Sequence, residues 1–343
     1  MNSDSIPLKF TIKDVAKHAS VSTATVSRVL AGSNLVSEHL RIRVLESIEA
    51  LDYIPNQVGR SLRRQTTNII GFVITDIQNP FFTSILRGVQ DVFQEHKLVV
   101  LTANSDENPT QELLHLQILR SQGVRGLIFA PARSDYYGLE YLFKGMAVVA
   151  IDRLPLNINV DSVVVDNVAG AKVATQHLLE LGHRRIGFIA GISKVTTGKD
   201  RLRGYLEALQ EAGLHRIDEL IQDGTFLQKG GYKAMSNLLD LPIPPTAIVS
   251  SNNLMSLGAL QALHERGVKI PDEIAIVGFD DMPWAPCLQP PLTVIAQPTY
   301  EIGRQAAHLL LERFESPDFP ARNLVLKTEL TIRASTAFEP WIN

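Results

Sequence analysis

Apolar residues recur at helical spacing in two short runs near the start of the chain, over residues 14–19 and 23–30. A turn of only three residues, 20–22, separates these runs. A third helix is predicted after Ser37, which can cap it, and its apolar stripe consists of Val44, Leu45, Ile48 and Leu51. Helices shorter than about 12–15 residues are marginal in water on their own, so the three must share one small core. Two helices joined by a short turn and supported by a third predict a helix-turn-helix domain over residues 1–55.

The second of these helices has an outer face without large apolar side chains. Its residues are Thr23, Ala24, Thr25, Ser27 and Arg28. The DNA major groove is about 12 Å wide, so short side chains would let the helix backbone approach closely while hydroxyls and Arg28 reach base edges. The alternative is a solvated polar face on an ordinary helical bundle. We predict DNA contacts from this face and from two residues that can cap the helices. Thr11 can cap the first helix in a capping box with Asp14, and Ser22 can cap the second.

From Asn68 onward the pattern changes to buried-strand runs that alternate with amphipathic helices. The run "NIIGFVI" is followed by a helical pattern, and after Asn167 a second round of alternation begins. Strands that alternate with helices predict parallel sheets covered on both faces. The chain is therefore predicted to be α/β, with a small all-α head and a body of two similar lobes. We expect lobe one at about 68–166 plus 297–325 and lobe two at about 167–296 plus 326–343.

Ligands of such sheets bind at the carboxyl ends of the strands, which for two lobes means the cleft between them. The residues that follow the predicted strands are Asp76, Asn79, Phe81, Phe82, Asp152, Arg153, Arg201, Phe226, Asn252, Asp280 and Gln297. Amides, carboxylates and guanidinium groups can bind hydroxyls, and aromatic rings can cover the apolar faces of a sugar. Each residue also has a plainer explanation, because Asp and Asn often cap helices and phenylalanines often belong to a core.

Two carboxylates and two guanidinium groups in this set balance one another. Asp152 and Asp280 offset Arg153 and Arg201, so the predicted site sums to zero charge. A phosphorylated or carboxylated ligand would prefer uncompensated positive charge. The sequence therefore favours a small neutral sugar as the ligand.

Charge and composition support a fusion of two unlike modules. The chain carries a net charge of −3, yet residues 1–67 hold nine Lys and Arg against six acids, which is +3 and leaves −6 for the remainder. A basic head on an acidic body is typical of a polyanion-binding module joined to another domain. No run of about 18 apolar residues and no apolar signal core are present, so we expect a cytoplasmic protein without a membrane span. A single cysteine, Cys287, excludes an internal disulfide framework.

Enzyme motifs are missing from the expected places. The first strand runs into "TDIQNPFF" rather than a dinucleotide-binding or phosphate-binding glycine loop, and no G-x-S-x-G elbow occurs. His177 and His183 lie six apart without a metal-ligand pattern around them. We therefore predict no catalytic residues, no metal and no cofactor. An α/β sugar-metabolising enzyme is the less favoured alternative.

The head resembles one known family. The segment "TIKDVAKHASVSTATVSRVLAG", followed by "YIPNQVGRSLRRQTTNIIG", is similar to the start of the LacI/purine-repressor family of bacterial transcription regulators. The resemblance implies a homodimer on a near-palindromic operator in double-stranded DNA, with base contacts from Thr23, Ala24 and Arg28. It also implies that residues 56–67 form a hinge that becomes helical in the minor groove, where Leu62 wedges between base pairs. The further predicted contacts of this hinge are Asn56, Arg60 and Arg63. Gly59 stands where the family usually has alanine, which should make the hinge order less readily.

The body is similar to periplasmic ribose-binding proteins and to ribose-type repressors. Every residue of the predicted sugar set except Asp76 falls on a sugar contact of that family, while Asn253 departs from it because an acid is commoner there. The resemblance implies a repressor of sugar-utilisation genes that D-ribose releases from DNA by closing the cleft and separating the hinges. A nucleobase, another sugar or a phosphoprotein partner remains an alternative effector. The last residues, "TAFEPWIN", show no heptad pattern, which favours a dimer over a tetramer.

Overall fold

The computed structural model describes residues 10–30, 32–53 and 67–337. The chain divides into two units, Met1–Thr66 and Thr67–Asn343, which we call the head and the body. None of the helices in the described ranges is long and apolar enough to cross a lipid bilayer.

The head contains the three predicted helices: α1 (Ile12–His18), α2 (Thr23–Leu30) and α3 (Glu38–Ala50). The caps form largely as predicted. Asp14 accepts hydrogen bonds from the backbone N–H and the hydroxyl of Thr11 at 2.8 and 2.7 Å, and Ser22 Oγ accepts from Thr25 N–H at 3.1 Å. Ser37 occupies the cap position of α3 without a side-chain bond to the helix. Local side-chain chemistry therefore sets where α1 and α2 begin.

A small apolar core holds these helices together. Its buried members are Val15, Ala16, Ala19, Val26, Val29, Val44 and Tyr53. The prediction for the stripe of α3 was wrong at Leu45, whose side chain is 51% exposed. Its neighbour Val44 is fully buried instead, while Ile48 and Leu51 pack against the core only partly. Val44 and Ser47 are the buried residues of α3.

The body is built from alternating strands and helices. Its strands are β1 (Ile69–Ile74), β2 (Val99–Asn104), β3 (Gly126–Phe129), β4 (Ala147–Ile151), β5 (Asp161–Val165), β6 (Ile186–Ala190), β7 (Ile221–Asp223), β8 (Ala247–Ser250), β9 (Ala275–Phe279), β10 (Thr293–Ala296), β11 (Asn323–Leu326) and β12 (Glu329–Thr331). Its α-helices are α4 (Pro80–Glu95), α5 (Pro109–Ser121), α6 (Asn167–Glu180), α7 (Thr196–Glu211), α8 (Gln228–Leu239), α9 (Asn253–Glu265) and α10 (Thr299–Glu315). Short 3-10 helices cover Glu140–Leu142, Asp218–Leu220 and Ala285–Cys287.

The strands form two six-stranded sheets, which define the two lobes of the body. The first lobe has the order β11-β5-β4-β3-β1-β2, and all its neighbouring strands are parallel. The second has the order β12-β10-β9-β8-β6-β7, in which only β12 runs antiparallel to its neighbour. The predicted fold class, a small helical head with an α/β body of two lobes, is confirmed, and the antiparallel β12 is its one departure from parallel pairing among the described strands.

The helix α10 returns the chain to the first lobe and packs against α4. Gly88 and Gly303 lie where the two helix backbones approach so closely that a Cβ on either would collide with the backbone of the other helix. This close packing buries Ile302 and Leu310 in the same core as Phe72 of strand β1. It holds α4 in place, and the N-terminal end of α4 carries Asn79, Phe81 and Phe82 of the predicted site.

Candidate functional site

The described part of the body contains a cavity at the carboxyl ends of the strands, and residues of both lobes line it. All eleven residues predicted from strand ends lie in this lining, together with three that the sequence analysis did not single out. The lining consists of Asp76, Asn79, Phe81, Phe82, Glu107, Asp152, Arg153, Thr197, Arg201, Phe226, Leu227, Asn252, Asp280 and Gln297. The topology brings these residues together because the carboxyl ends of parallel strands share one edge of each sheet.

Several lining residues have structural roles as well. Asn79 caps α4 by accepting a hydrogen bond from Phe81 N–H at 3.0 Å, and Asn252 caps α9 by accepting from Met255 N–H at 2.8 Å. Phe81 and Phe82 contact each other edge to face, with ring centroids 5.0 Å apart, and both belong to the core of the first lobe. These residues therefore cap helices or belong to the core, and they line the cavity as well.

Backbone conformation marks the same place. Four lining residues that are not glycine have positive φ: Glu107 (+53°), Asp152 (+66°), Phe226 (+61°) and Asp280 (+75°). Such a conformation costs about 1–3 kcal/mol for a residue with a Cβ, and it tends to persist at functional sites. In Asp152 and Asp280 it occurs directly after the strands β4 and β9. Four strained residues therefore present three carboxylates and an aromatic ring to the cavity.

Burial sets the electrostatics of the cavity. It raises the pKa of the carboxyl groups of Asp152 and Asp280, and it lowers the pKa of the Arg201 guanidinium. Arg201 donates from Nε to Asn167 Oδ1 at 2.7 Å and from Nη1 to Ser251 O at 2.6 Å, and it stacks 3.8 Å from the ring centroid of Phe279. Opposite charges nearby partly offset the desolvation of each group.

The predicted zero charge of the site was wrong for the complete lining. Asp76, which the charge balance left out, and Glu107, which was not predicted, raise the number of carboxylates to four against the two guanidinium groups of Arg153 and Arg201. The formal charge of the lining is therefore 2 − 4 = −2. By this formal count, the lining has no positive charge left unmatched for an anionic ligand.

Three buried polar atoms in this wall lack a hydrogen-bond partner among the described residues. They are Arg153 Nε, Thr197 Oγ1 and Gln297 Oε1. Arg153 Nε does lie 3.2 Å from Asp152 Oδ2, but without the geometry of a hydrogen bond. Because a buried polar atom without a partner costs about 1–3 kcal/mol, the cavity favours a ligand that offers both donors and acceptors.

Asn253 links the two lobes behind the cavity wall. Its Nδ2 donates to Asn79 Oδ1 at 2.7 Å, while its own backbone N–H lies 3.4 Å from Asp280 Oδ2. Both amides are buried. A second bond between the lobes runs from Leu154 N–H to Thr196 Oγ1 at 3.1 Å. The departure at Asn253 noted in the sequence therefore supplies a donor that a carboxylate would not have.

Replacing Asn253 with aspartate is expected to weaken ligand binding about tenfold, because a buried acceptor loses its donor and a second carboxylate is placed near Asp280. Isothermal titration calorimetry with D-ribose checks this. Asn237→Asp makes the same chemical change on the exposed face of α8 and serves as the control. Equal affinities in the two variants would contradict a role for the Asn253 link.

The residues of the head that are predicted to contact DNA differ in their exposure. Ser22, Thr23, Ala24 and Arg28 are exposed, whereas Thr25 and Ser27 are half-buried. The side chains of Thr11 and Ser22 are engaged in the helix caps, and Ser22 Oγ also bonds Thr25 Oγ1 at 2.9 Å. Within the described residues, the Arg28 side chain has no ion-pair or hydrogen-bond partner. The predicted hinge residues Asn56, Arg60, Leu62 and Arg63 lie outside the described residues, as does Gly59.

In the described ranges, no cluster of three or more His, Cys, Asp or Glu side chains could hold a metal ion.

Comparisons with known protein families match both units. Residues 11–56 match "Bacterial regulatory proteins, lacI family", and residues 175–336 match "Periplasmic binding protein-like domain". The chain is 35% identical over 331 residues to the HTH-type transcriptional repressor CytR of Escherichia coli strain K12, covering 96% of this chain and 97% of that protein. It is 37% identical over 326 residues to the ribose operon repressor of Halalkalibacterium halodurans, covering 95% and 97%.

A solved structure shares the architecture over nearly the whole chain. The Lac repressor dimer bound to operator and the anti-inducer ONPF superposes with a TM-score of 0.84 at 25% identity, covering 96% of this chain and 99% of that one. These similar proteins are transcriptional repressors and not enzymes, in agreement with the prediction made from the missing enzyme motifs.

Proposed function

Because the chain belongs to the lacI family of bacterial regulatory proteins, we propose that it represses sugar-utilisation genes as a homodimer and leaves its operator when D-ribose binds. Membership in the family makes it a DNA-binding transcriptional repressor that responds to an effector. Family membership alone does not identify the effector, for which we propose D-ribose. We place this action in the bacterial cytoplasm, where operator DNA lies.

The lining of the cavity is the observation that carries the choice of a neutral sugar. Phe81, Phe82 and Phe226 offer aromatic faces to a small ring, and the unpartnered atoms of Thr197 and Gln297 suit hydroxyl groups. A formal charge of −2 for the lining disfavours sugar phosphates and sugar acids. Similarity to a ribose operon repressor supports a pentose among neutral sugars.

The exposed face of α2 supports operator reading by the head. Thr23, Ala24 and Arg28 face solvent on a helix whose N-terminal backbone N–H groups can also bind a DNA phosphate. Each head would read one half-site, so a two-fold symmetric dimer calls for a near-palindromic operator.

Exposed apolar side chains on the first lobe support the homodimer. Val99 and Leu101 project from the edge strand β2, and Leu114 and Ile118 project from α5, which follows it in the chain. Large exposed apolar patches mark protein–protein interaction sites on soluble proteins. A second copy of the chain would bury this surface.

The proposed mechanism couples the cavity to the heads. Sugar bonded to residues of both lobes would favour a closed cleft, and closure would shift the lobes so that the two heads no longer fit adjacent half-sites. A coupling typical of such proteins, about 1–3 kcal/mol, corresponds to a loss of operator affinity of about 5- to 150-fold.

The function is tested by selecting operators from a library of palindromic DNA and then titrating the selected DNA with and without D-ribose. We expect the selected DNA to contain a specific half-site repeat. The affinity for this DNA is expected to fall about 5- to 150-fold when D-ribose saturates the protein, which is the range that typical coupling energies give. Calorimetry with pentoses, a disaccharide and purine bases runs in parallel. Binding of a purine without any pentose would assign the repressor to a nucleobase effector instead.

A further inference from the structure

Glu107 is the lining residue with the strongest contacts that the predicted set did not include. It follows β2 in the first lobe, where its backbone N–H donates to Thr75 O at 3.0 Å. Its carboxylate spans the guanidinium of Arg153, with Oε2 and Oε1 each 2.6 Å from Nη1 and Nη2. The Glu107 side chain is 13% exposed and that of Arg153 is 5% exposed. A bidentate pair of this kind is both strong and geometrically specific.

The pair uses the part of Arg153 that an anionic ligand would need. A guanidinium has five N–H donors. Nη1 donates to Glu107 Oε2 and to Pro131 O at 3.0 Å, and Nη2 donates to Glu107 Oε1. That leaves one N–H on Nη2 and the Nε–H, which lacks a hydrogen-bond partner among the described residues. The two remaining donors lie on the same side of the guanidinium, where Asp152 Oδ2 is 3.2 Å from Nε. A carboxylate or phosphate bound there by two parallel donors would meet the negative charge of Asp152, whereas a hydroxyl oxygen would not.

The second arginine of the cavity is also engaged by the protein. Arg201 donates to Asn167 and Ser251 and is influenced by the carboxylates of Asp152 and Asp280. Burial by itself lowers the pKa of Arg153, but the adjoining carboxylates of Glu107 and Asp152 raise that pKa by more, so Arg153 stays charged and paired. The guanidinium groups are thus both matched by carboxylates of the protein.

We propose that Glu107 is a specificity-determining residue: by occupying the Nη1/Nη2 fork of Arg153 and placing a negative charge beside it, Glu107 makes the cavity reject phosphorylated and carboxylated sugars. The inference rests on the proposed sugar-binding function and adds which side chain excludes the anionic analogues. It acts through charge and through occupation of donors, and glutamine, which has the same size, removes the charge and can accept from only one of the two terminal nitrogens.

The test compares Glu107→Gln with the wild-type protein by calorimetry, using D-ribose and D-ribose 5-phosphate. The wild type is expected to bind D-ribose more tightly than D-ribose 5-phosphate. In the variant, the dissociation constant of the phosphate divided by that of ribose is expected to fall about tenfold or more, because one nearby negative charge is gone. Asp106→Asn, the adjacent carboxylate on the exposed side of the same loop, is the matched control and should leave the ratio unchanged. An unchanged ratio in Glu107→Gln would overturn the proposal.

A second readout does not depend on the sugar. Inorganic phosphate is expected to raise the melting temperature of Glu107→Gln, but not that of the wild type or of the double variant Glu107→Gln with Arg153→Ala. If ribose gives no heat with the wild type while this Arg153-dependent phosphate effect occurs, the ribose assignment fails and the role of Glu107 stands. Phosphate stabilisation that persists in the double variant counts against the role of Glu107.

Circular dichroism establishes that the variants are folded. Should Glu107→Gln not fold, Glu107→Asp replaces it, because its shorter side chain places the carboxylate farther from both terminal nitrogens of Arg153. That variant should show a smaller narrowing of the ribose to ribose 5-phosphate ratio. No narrowing in whichever variant folds argues against the inference.

Discussion

Replacing Arg153 with alanine is expected to leave the repressor on its operator at every concentration of D-ribose. The guanidinium lies 5.4 Å from the ring centroid of Phe226, which belongs to the second lobe, and it pairs with Glu107 in the first. Each hydrogen bond from a charged donor to the sugar contributes about 1.5–3 kcal/mol, so every such bond lost with Arg153 lowers the affinity roughly 10- to 150-fold. Sugar binding should therefore fall below detection at millimolar ribose.

The measurement has two parts, calorimetry with D-ribose and operator binding with and without the sugar. Arg87→Ala is the matched control, because Arg87 lies in the same lobe with its side chain 72% exposed. Circular dichroism and a thermal melt distinguish loss of the site from loss of the fold, since unpaired Glu107 and Asp152 will lower stability. A folded Arg153→Ala protein that still leaves its operator in ribose would remove Arg153 from the effector site.

The residues predicted from strand ends show how much of this site sequence can reveal. Asp76, Asp152 and Asp280 follow buried strands, which a run of apolar residues makes easy to recognise. Because the carboxyl ends of parallel strands lie along one edge of a sheet, residues at these ends are expected to lie close together. Glu107 was missed although it follows β2 in the same way. Its pairing with Arg153 could not be predicted, because two residues 46 positions apart meet only through the fold.

Thr197 and Leu227 were missed for a different reason. Thr197 lies in the first turn of α7, beyond a loop after β6, and Leu227 precedes α8. Thr197 lies one turn before Arg201 on the same helix, and Leu227 lies beside Phe226, both of which were predicted. Thr197 and Leu227 lacked a distinctive residue type, because a threonine in the first turn of a helix and a leucine beside a helix are common away from ligand sites. The charge of the lining depends on which carboxylates turn inward.

The short strands and the edge strand β11 have weak local signals in the sequence. Strands β7 and β12 have three residues each, and β11 is an edge strand with an exposed and half-buried pattern. Such segments become strands because a neighbouring strand offers hydrogen bonds, which periodicity alone does not reveal. In the head, the stripe predicted for α3 treated Leu45 as equivalent to Val44, but a three-helix core of this size can cover only part of that face.

Replacing Arg28 with alanine is expected to abolish specific operator binding and to leave sugar binding intact. The Arg28 side chain is exposed at the end of α2, and no partner of its own among the described residues restrains it. A bidentate contact from arginine to guanine contributes about 1–3 kcal/mol of discrimination per base pair. Two heads double that figure, so specific affinity should fall roughly 30-fold to 10,000-fold. Calorimetry with D-ribose should give the same affinity as the wild type, because the cavity belongs to the body.

The pattern of the loss across DNA sequences identifies the kind of contact. A base contact predicts that Arg28→Ala loses affinity for the selected operator but keeps much of its binding to random DNA, and that it tolerates changes at one base pair of each half-site. Lys17→Ala is the control, because Lys17 is an exposed cation on α1, outside the outer face of α2. A phosphate contact would instead lower affinity evenly for all sequences and reduce the slope of affinity against salt. An even loss of this kind in Arg28→Ala would assign Arg28 to the DNA backbone and leave base reading to Thr23 and Ala24.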